Sequence, residues 1–256
     1  MKKVASIIIT AVIASSPIHS FAWGAAGHKM VAEIANVYLD SATKEKIHHY
    51  LGNTTIEEAA TWMDDIKSNH NYDYMKPWHY VDFEKGTQYV PTKEGNSINT
   101  MNNAIEEIKH RDQHTDEEIK KDIMMIYHLT GDMHQPLHNG YTGDKGGNDI
   151  QVKYLGHPSN LHTVWDREII ESEHITPNDC LLLYKNFDKD EIAQLRVVNM
   201  EKWILEPRTL LSNVYNFKDD NVLDQAYVDK NKRIVEQQLL IAGIRLAAVL
   251  QEVFKS

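Results

Sequence analysis

Tyr127-His128-Leu129-Thr130-Gly131-Asp132-Met133-His134-Gln135-Pro136-Leu137-His138 is the stretch on which the fold and the chemistry of this chain both turn. His128 and Asp132 are four positions apart, so on a helix they project from one face about one turn, roughly 6 Å, apart. That spacing suits two side chains gripping one cation, although a lone pair of this kind is more simply a polar patch on a partly buried helix. Pro136 cannot continue the helix and pushes Gln135 out of it, so His138 is expected on a separate short segment. A second pair at the same spacing, His162 and Asp166 in Asn160-Leu161-His162-Thr163-Val164-Trp165-Asp166, turns the balance toward metal ligation. His134 is six positions from His128, roughly 240° around the helix, and is expected to support the site or serve structure rather than share that metal.

The chain has 256 residues, of which 42% are apolar, enough for one full core. Its start reads as an export leader. Met1-Lys2-Lys3 is basic, Val4 to Ser15 is apolar but too short to span a bilayer, and Ser20-Phe21-Ala22 places small residues where signal peptidase reads them. Residues 1–22 are therefore expected to be a signal peptide cut between Ala22 and Trp23, leaving residues 23–256 as one secreted or periplasmic domain, monomeric and without a membrane anchor. A single cysteine, Cys180, excludes an internal disulfide despite export. Loss of Lys2 and Lys3 moves the formal charge from −10 to −12, 25 basic against 37 acidic residues. Broad electrostatic capture of nucleic acid is thus disfavoured, and a small, locally positive site is not.

Helical rhythm dominates the rest. Helices are expected at 28–39, from a Ser41 cap to Leu51, from a Thr55 cap to Ile66, at 97–111 and from Thr115 to about Asp132, with four or five more after Pro158, the last over 229–254. Two stretches break it. Residues 68–96 read as a long ordered loop containing Trp78-His79-Tyr80-Val81-Asp82, and Gly140 to Gly156 as a second loop with a possible short hairpin near Ile150 to Tyr154. The fold class is all-α, single-domain, with long active-site loops.

His28, Trp62-Met63-Asp64 and His79 add further ligand candidates, all nitrogen or oxygen donors without a thiolate, a set that suits Zn²⁺ in open sites. With Trp23, these motifs, the two His-x3-Asp pairs, His134-Gln135-Pro136-Leu137-His138 and Gly146-Gly147-Asn148 follow in one order. In that order the chain resembles the zinc-dependent, single-strand-specific type I nucleases of fungi and plants, which share an all-α fold with the bacterial three-zinc phospholipases C. The match runs from residue 23 to about 166.

Carried over position by position, the resemblance implies three zincs. Asp64, His79 and His128 would hold the first. Asp132 would bridge it to a second, also bound by His28 and by the amine and carbonyl of Trp23, and that amine is free only once the leader is gone. His138, His162 and Asp166 would hold the third. Asp64 and Asp132 are the implied catalytic carboxylates, because metals sharing Asp132, about 3.5–4 Å apart, would generate an attacking hydroxide between them. The implied reaction is hydrolysis of single-stranded DNA and RNA to 5′-phosphorylated products, with 3′-nucleotides as further substrates. Tyr80 and Asp82 fall where the family stacks on a base and bonds its edge, and stacking demands an unpaired base; an aromatic beside a ligand can also be mere packing. Lys67 reads as a phosphate contact or a solvated helix end, and Asn148 as a ligand orienter or a turn-closing residue. Two rival readings stay open: a phospholipase C of the same fold, and a periplasmic zinc-binding protein without turnover.

Overall fold

Thr55 and Thr115 open the two helices that matter most to the site, each by a reciprocal cap. The Thr55 hydroxyl accepts from the amide of Glu58 while the Glu58 carboxylate accepts from the amide of Thr55, starting α3 (Ile56–Asp65). Thr115 and Glu118 repeat this for α5 (Asp116–His134). Each pair satisfies two amides that a helix start leaves orphaned. In the computed structural model, which describes residues 23–218 and 220–255, α1 (Ala25–Tyr38) and α2 (Ser41–Leu51) precede them. The expected leader at 1–22 lies outside the described residues. Ser41 is not the cap of α2: Asp40 is extended, its carboxylate takes the amide of Thr43 at 2.8 Å, and Ser41 becomes the first helical residue.

The segment expected to be loop throughout, 68–96, contains a run of 3-10 turns from His70 to His79. Such turns close on residue i+3, so they leave no 3.6-residue apolar rhythm to be read. After α4 (Ser97–Lys109) and α5, the chain turns at Gln135 and enters a short 3-10 segment, Pro136–Asn139, that carries His138. The hairpin near 150 is present as β1 (Gln151–Tyr154) and β2 (His157–Asn160), paired antiparallel with Val152 opposite Ser159. A third strand absent from the sequence reading, β3 (Val222–Leu223), adds parallel to β1 and is too short to show alternation. After the hairpin come α6 (Leu161–Thr163), a π-helical stretch (Val164–Glu168) and α7 (Ile169–Ser172), then α8 (Pro177–Leu181), α9 (Lys189–Leu195), α10 (Met200–Arg208) and α11 (Leu211–Val214), with α12 (Gln225–Val253) following β3.

The core forms where α5 packs on α3, α4 and α12, and α1 packs on α3 and α12. α5 is buried continuously from Asp122 to His134, which removes its His and Asp side chains from bulk water. α12 has the length and hydropathy of a membrane span, yet 83% of its most apolar window is buried inside the protein. At Gly243 a side chain would meet Ile34 Cγ2 at 2.4 Å, so the close approach of α1 and α12 depends on glycine there.

Asp122 is a buried acid of this core, facing Glu107 of α4. Burial first, and the Glu107 charge second, hold its carboxyl well above the usual carboxylate range. The folded state therefore keeps a proton that the unfolded chain releases above about pH 4, and stability falls as pH rises from there toward neutrality. Asp122→Asn removes the ionisation, so denaturant titrations at pH 5 and pH 7.5 should show the variant losing less stability between them than the parent. Equal losses would contradict this.

Candidate metal centre

Asp132 lies at the middle of the site. Its Oδ2 is 2.9 Å from Nδ1 of His79 and 3.3 Å from Nε2 of His128, and its Oδ1 is 3.3 Å from Nε2 of His28. Four elements converge to make this. The α5 spacing puts His128 and Asp132 on one face, the 3-10 segment ends on His79, α3 delivers Asp64 in its last turn, and α1 delivers His28. The His28 and His128 rings stack at 3.9 Å. That approach requires Gly131, where a side-chain carbon would lie 2.8 Å from Nδ1 of His28. Asp64 Oδ1 is 3.6 Å from Nε2 of His128 and 2.5 Å from the Lys67 ammonium.

A second group stands beside the first. His138 and His162 rings lie 4.9 Å apart, and their Nε2 atoms are 3.8 and 3.1 Å from the two oxygens of Asp166. In all, the donors fall into three buried trios whose ligand atoms lie within 4.8 Å of one another: His28, Asp64 and His128; His79, His128 and Asp132; His138, His162 and Asp166. The first two share His128. The grouping differs in detail from the carried-over assignment, which joined Asp64 to His79 and His28 to Asp132, but the same five imidazoles and three carboxylates are brought together. Trp23 is fully buried beside them, with its Cβ against Gly27.

Hydrogen bonds fix which atoms face inward. His128 Nδ1 donates to Ala60 O at 2.7 Å, His138 Nδ1 to His79 O at 2.8 Å and His162 Nδ1 to Gly146 O at 2.7 Å. In each ring the remaining Nε2 then presents a lone pair toward carboxylate oxygens. His138 Nε2, both nitrogens of His28 and Asp132 Oδ1 are buried without a hydrogen bond among the described residues. Buried lone pairs aimed at anions across about 3 Å repel, and a cation between them removes the conflict. The residues therefore fit Zn²⁺: hard-to-borderline donors, oriented from behind, with orphaned atoms pointing at one another.

Three of the imidazoles and the central carboxylate have charge states that suit ligation. Burial pushes the His79 imidazole down to about 4, helped by Lys67, and lowers His28 and His138 as well. Asp132 is held well below the usual carboxylate range: burial alone would raise it, and the facing His128 and His138 outweigh burial. For His128 and His162 burial likewise works against charge, but neighbouring carboxylates prevail and both are raised.

A cleft of about 320 Å³ lined by Gly24, Thr61, Asp64, Asp166 and Arg167 borders both groups. Tyr80 is 44% exposed beside His79. Asp82 is half-buried, accepts the Gly140 amide at 2.9 Å, and is pushed up to about 6 chiefly by burial. Asn148 donates to Lys145 O at 2.8 Å and so closes its own turn, and Lys67 is engaged with Asp64. The glycine loop has a defined job: Gly146, at φ +60°, supplies the carbonyl that orients His162, and a side chain there would strike Leu137 O. His134 turns away from the trios, donating from Nδ1 to Thr130 O and accepting from Arg245 at Nε2.

Gln135, Arg208 and Arg245 also serve the site without a sign of it in the sequence. Gln135 is fully buried, donates from Nε2 to Asp166 Oδ1, and accepts from Leu137 N at 2.5 Å. Its position before Pro136 marked a turn and carried no sign of what its amide would meet. Arg245 lies inside the apolar stripe of α12 and pairs with Glu206 of α10.

Such a centre in an all-α scaffold is one that can hold metal ions. The chain belongs to the S1/P1 nuclease family, whose profile matches residues 23–255. It is 28% identical to Endonuclease 4 of Arabidopsis thaliana over 268 residues, covering 91% of this chain and 90% of that protein. With Nuclease S1 of Aspergillus oryzae it shares 26% over 265 residues, 90% of this chain and 91% of the other, and with Nuclease P1 of Penicillium citrinum 27% over 158 residues, 56% and 57%. The protein is thus a single-strand-specific nuclease that hydrolyses phosphodiester bonds, of a zinc-dependent family.

Because Gln135 holds Asp166 from behind, Gln135→Leu should weaken zinc at the third trio about 10- to 100-fold, as loss of a ligand's supporting partner does. Titration of bound zinc against a competing chelator should show one weakened class of site beside unchanged ones. Uniform retention would contradict the orienting role.

Proposed function

We propose that the mature protein is an exported endonuclease carrying three zincs, which cleaves single-stranded DNA and RNA to 5′-phosphorylated products and removes 3′-phosphates from nucleotides. The observation that carries this reading is the set of overlapping buried trios with Nε2 lone pairs turned toward Asp64, Asp132 and Asp166. Asp64, His79 and His128 would hold one metal, His28 and the freed amine of Trp23 a second with Asp132 between them, and His138, His162 and Asp166 a third. Once bound, the metals supply the positive charge that polarises a water nucleophile and neutralises phosphoryl oxygens in an otherwise acidic protein.

The chain's own part is placement. Ala60, His79 and Gly146 carbonyls hold three imidazoles in the ligating tautomer. Burial works against charge on Asp64, but His128 and then Lys67 outweigh it and hold the carboxyl below its usual range, and the Lys67 ammonium paired to Asp64 would give phosphate a compact cation. The exposed ring of Tyr80 offers a stacking face to an unpaired base, and Asp82 an acceptor for its polar edge. Cleavage between Ala22 and Trp23 would free the Trp23 amine beside His28.

Asp64→Asn should cost on the order of 10²-fold or more in turnover of a single-stranded oligonucleotide, since losing a metal's charge removes several kcal/mol of transition-state stabilisation. Undiminished activity would contradict the ligand assignment. Turnover of phosphatidylcholine micelles alongside inert single-stranded DNA would instead favour the phospholipase reading. Exhaustive chelation should lower the melting temperature well below that of the zinc-loaded protein, because binding and folding are linked. An unchanged melting curve would speak against structural coupling of the metals.

A further inference from the structure

Arg208 ends α10, far in sequence from every ligand, and its guanidinium reaches across two segments of the site. One terminal nitrogen, NH1, donates to Asn139 O at 2.6 Å and to Gly140 O. The other, NH2, donates to Phe83 O at 2.7 Å and Glu84 O at 3.1 Å. The Phe83 ring covers one face, 3.4 Å from the guanidinium carbon, and Tyr141 stands 5.0 Å away. All of this lies where 79–84 runs alongside 138–141. Those segments are also joined by Val81 N to His138 O at 2.8 Å, His138 Nδ1 to His79 O at 2.8 Å, Gly140 N to Asp82 Oδ1 at 2.9 Å and Phe83 N to Gly140 O at 3.4 Å.

We propose that Arg208 is a positioning residue for substrate: its fork clamps the two segments together at the Asp82 and Gly140 end and thereby fixes Asp82 for contact with a nucleobase. This rests on the reading of Tyr80 and Asp82 as base contacts given above. The donors that Arg208 directs at four carbonyls are not available to a phosphate, so its effect runs through Asp82. The end of the pairing nearer the metals is held separately, by the Val81, His138 and His79 bonds. Loosening the clamp therefore releases the base-contacting end and leaves the trios in place. A planar fork is required, because each nitrogen serves a different segment; a lysine ammonium keeps the charge but has no pair of nitrogens set to grip both.

The test is steady-state kinetics on zinc-loaded Arg208→Met, Arg208→Lys, Asp82→Ala and the Arg208→Met/Asp82→Ala double variant. The substrates are a single-stranded deoxyoligonucleotide and an abasic oligomer of the same length. Arg208→Met should raise KM for the normal oligomer about tenfold, the scale of one well-placed hydrogen bond. Its kcat should stay within about threefold, with zinc content and abasic KM unchanged. Arg208→Lys should fall short of restoring KM, and the double variant should be no worse than Asp82→Ala, as expected for groups acting through one another.

A fall in kcat and zinc content at constant KM would reduce Arg208 to a structural residue. An equal KM rise on the abasic oligomer would make it a phosphate attractor, and full rescue by lysine would show that charge rather than the fork matters; either overturns the proposal. If Asp82→Ala leaves KM unchanged, the base-contact reading itself fails. If Asp82→Ala raises KM and Arg208→Met does not, the positioning role alone fails.

Discussion

A buried carboxylate with imidazoles on both oxygens is the arrangement from which the rest of this molecule follows. Asp132 is fully buried, as are His28 and His128, and His79 nearly so. Ionised oxygens and ring lone pairs packed this tightly are costly without a cation. The fold sustains them because α5 is surrounded by α3, α4 and α12, and because Gly131 lets the His28 ring lie flat on His128. The same buried surroundings that make uncompensated donors unfavourable would make a bound metal's charge effective on a phosphodiester.

The connections behind the ligands matter as much as the ligands. Three of the imidazoles are oriented by backbone carbonyls, and those carbonyls belong to other parts of the site: Ala60 lies in the helix that carries Asp64, His79 is itself one of the clustered donors, and Gly146 comes from the glycine loop. The two metal groups are therefore mechanically joined, His79 positioning His138 through its main chain. α10 braces the assembly from outside, with Glu206 holding Arg245 against His134 and Arg208 spanning the loop segments.

The convergence of the donor residues was legible because they obey local rules. A His-x3-Asp spacing needs only a helix to bring its members together, Thr55 and Thr115 announce their helices by the glutamate three residues on, and Pro136 separates His138 from His134. What was not legible depends on distant partners. The 3-10 run ending at His79 has no periodic signature, and β3 is two residues long. Nothing in the neighbourhood of Gln135 or Arg208 indicates that the first meets Asp166, 31 residues on, or that the second meets carbonyls 68 and 125 residues back. Nor does spacing decide how eight donors divide among metals when His128 lies within reach of two trios.

We propose that these donors, with a freed Trp23 amine, hold a compact trio of zinc ions. Anomalous diffraction at the zinc edge from crystals of the mature protein tests it most directly. Three peaks are expected, two on either side of Asp132 and one between His138, His162 and Asp166. Peaks scattered over surface histidines, or none within reach of Asp132, would contradict it.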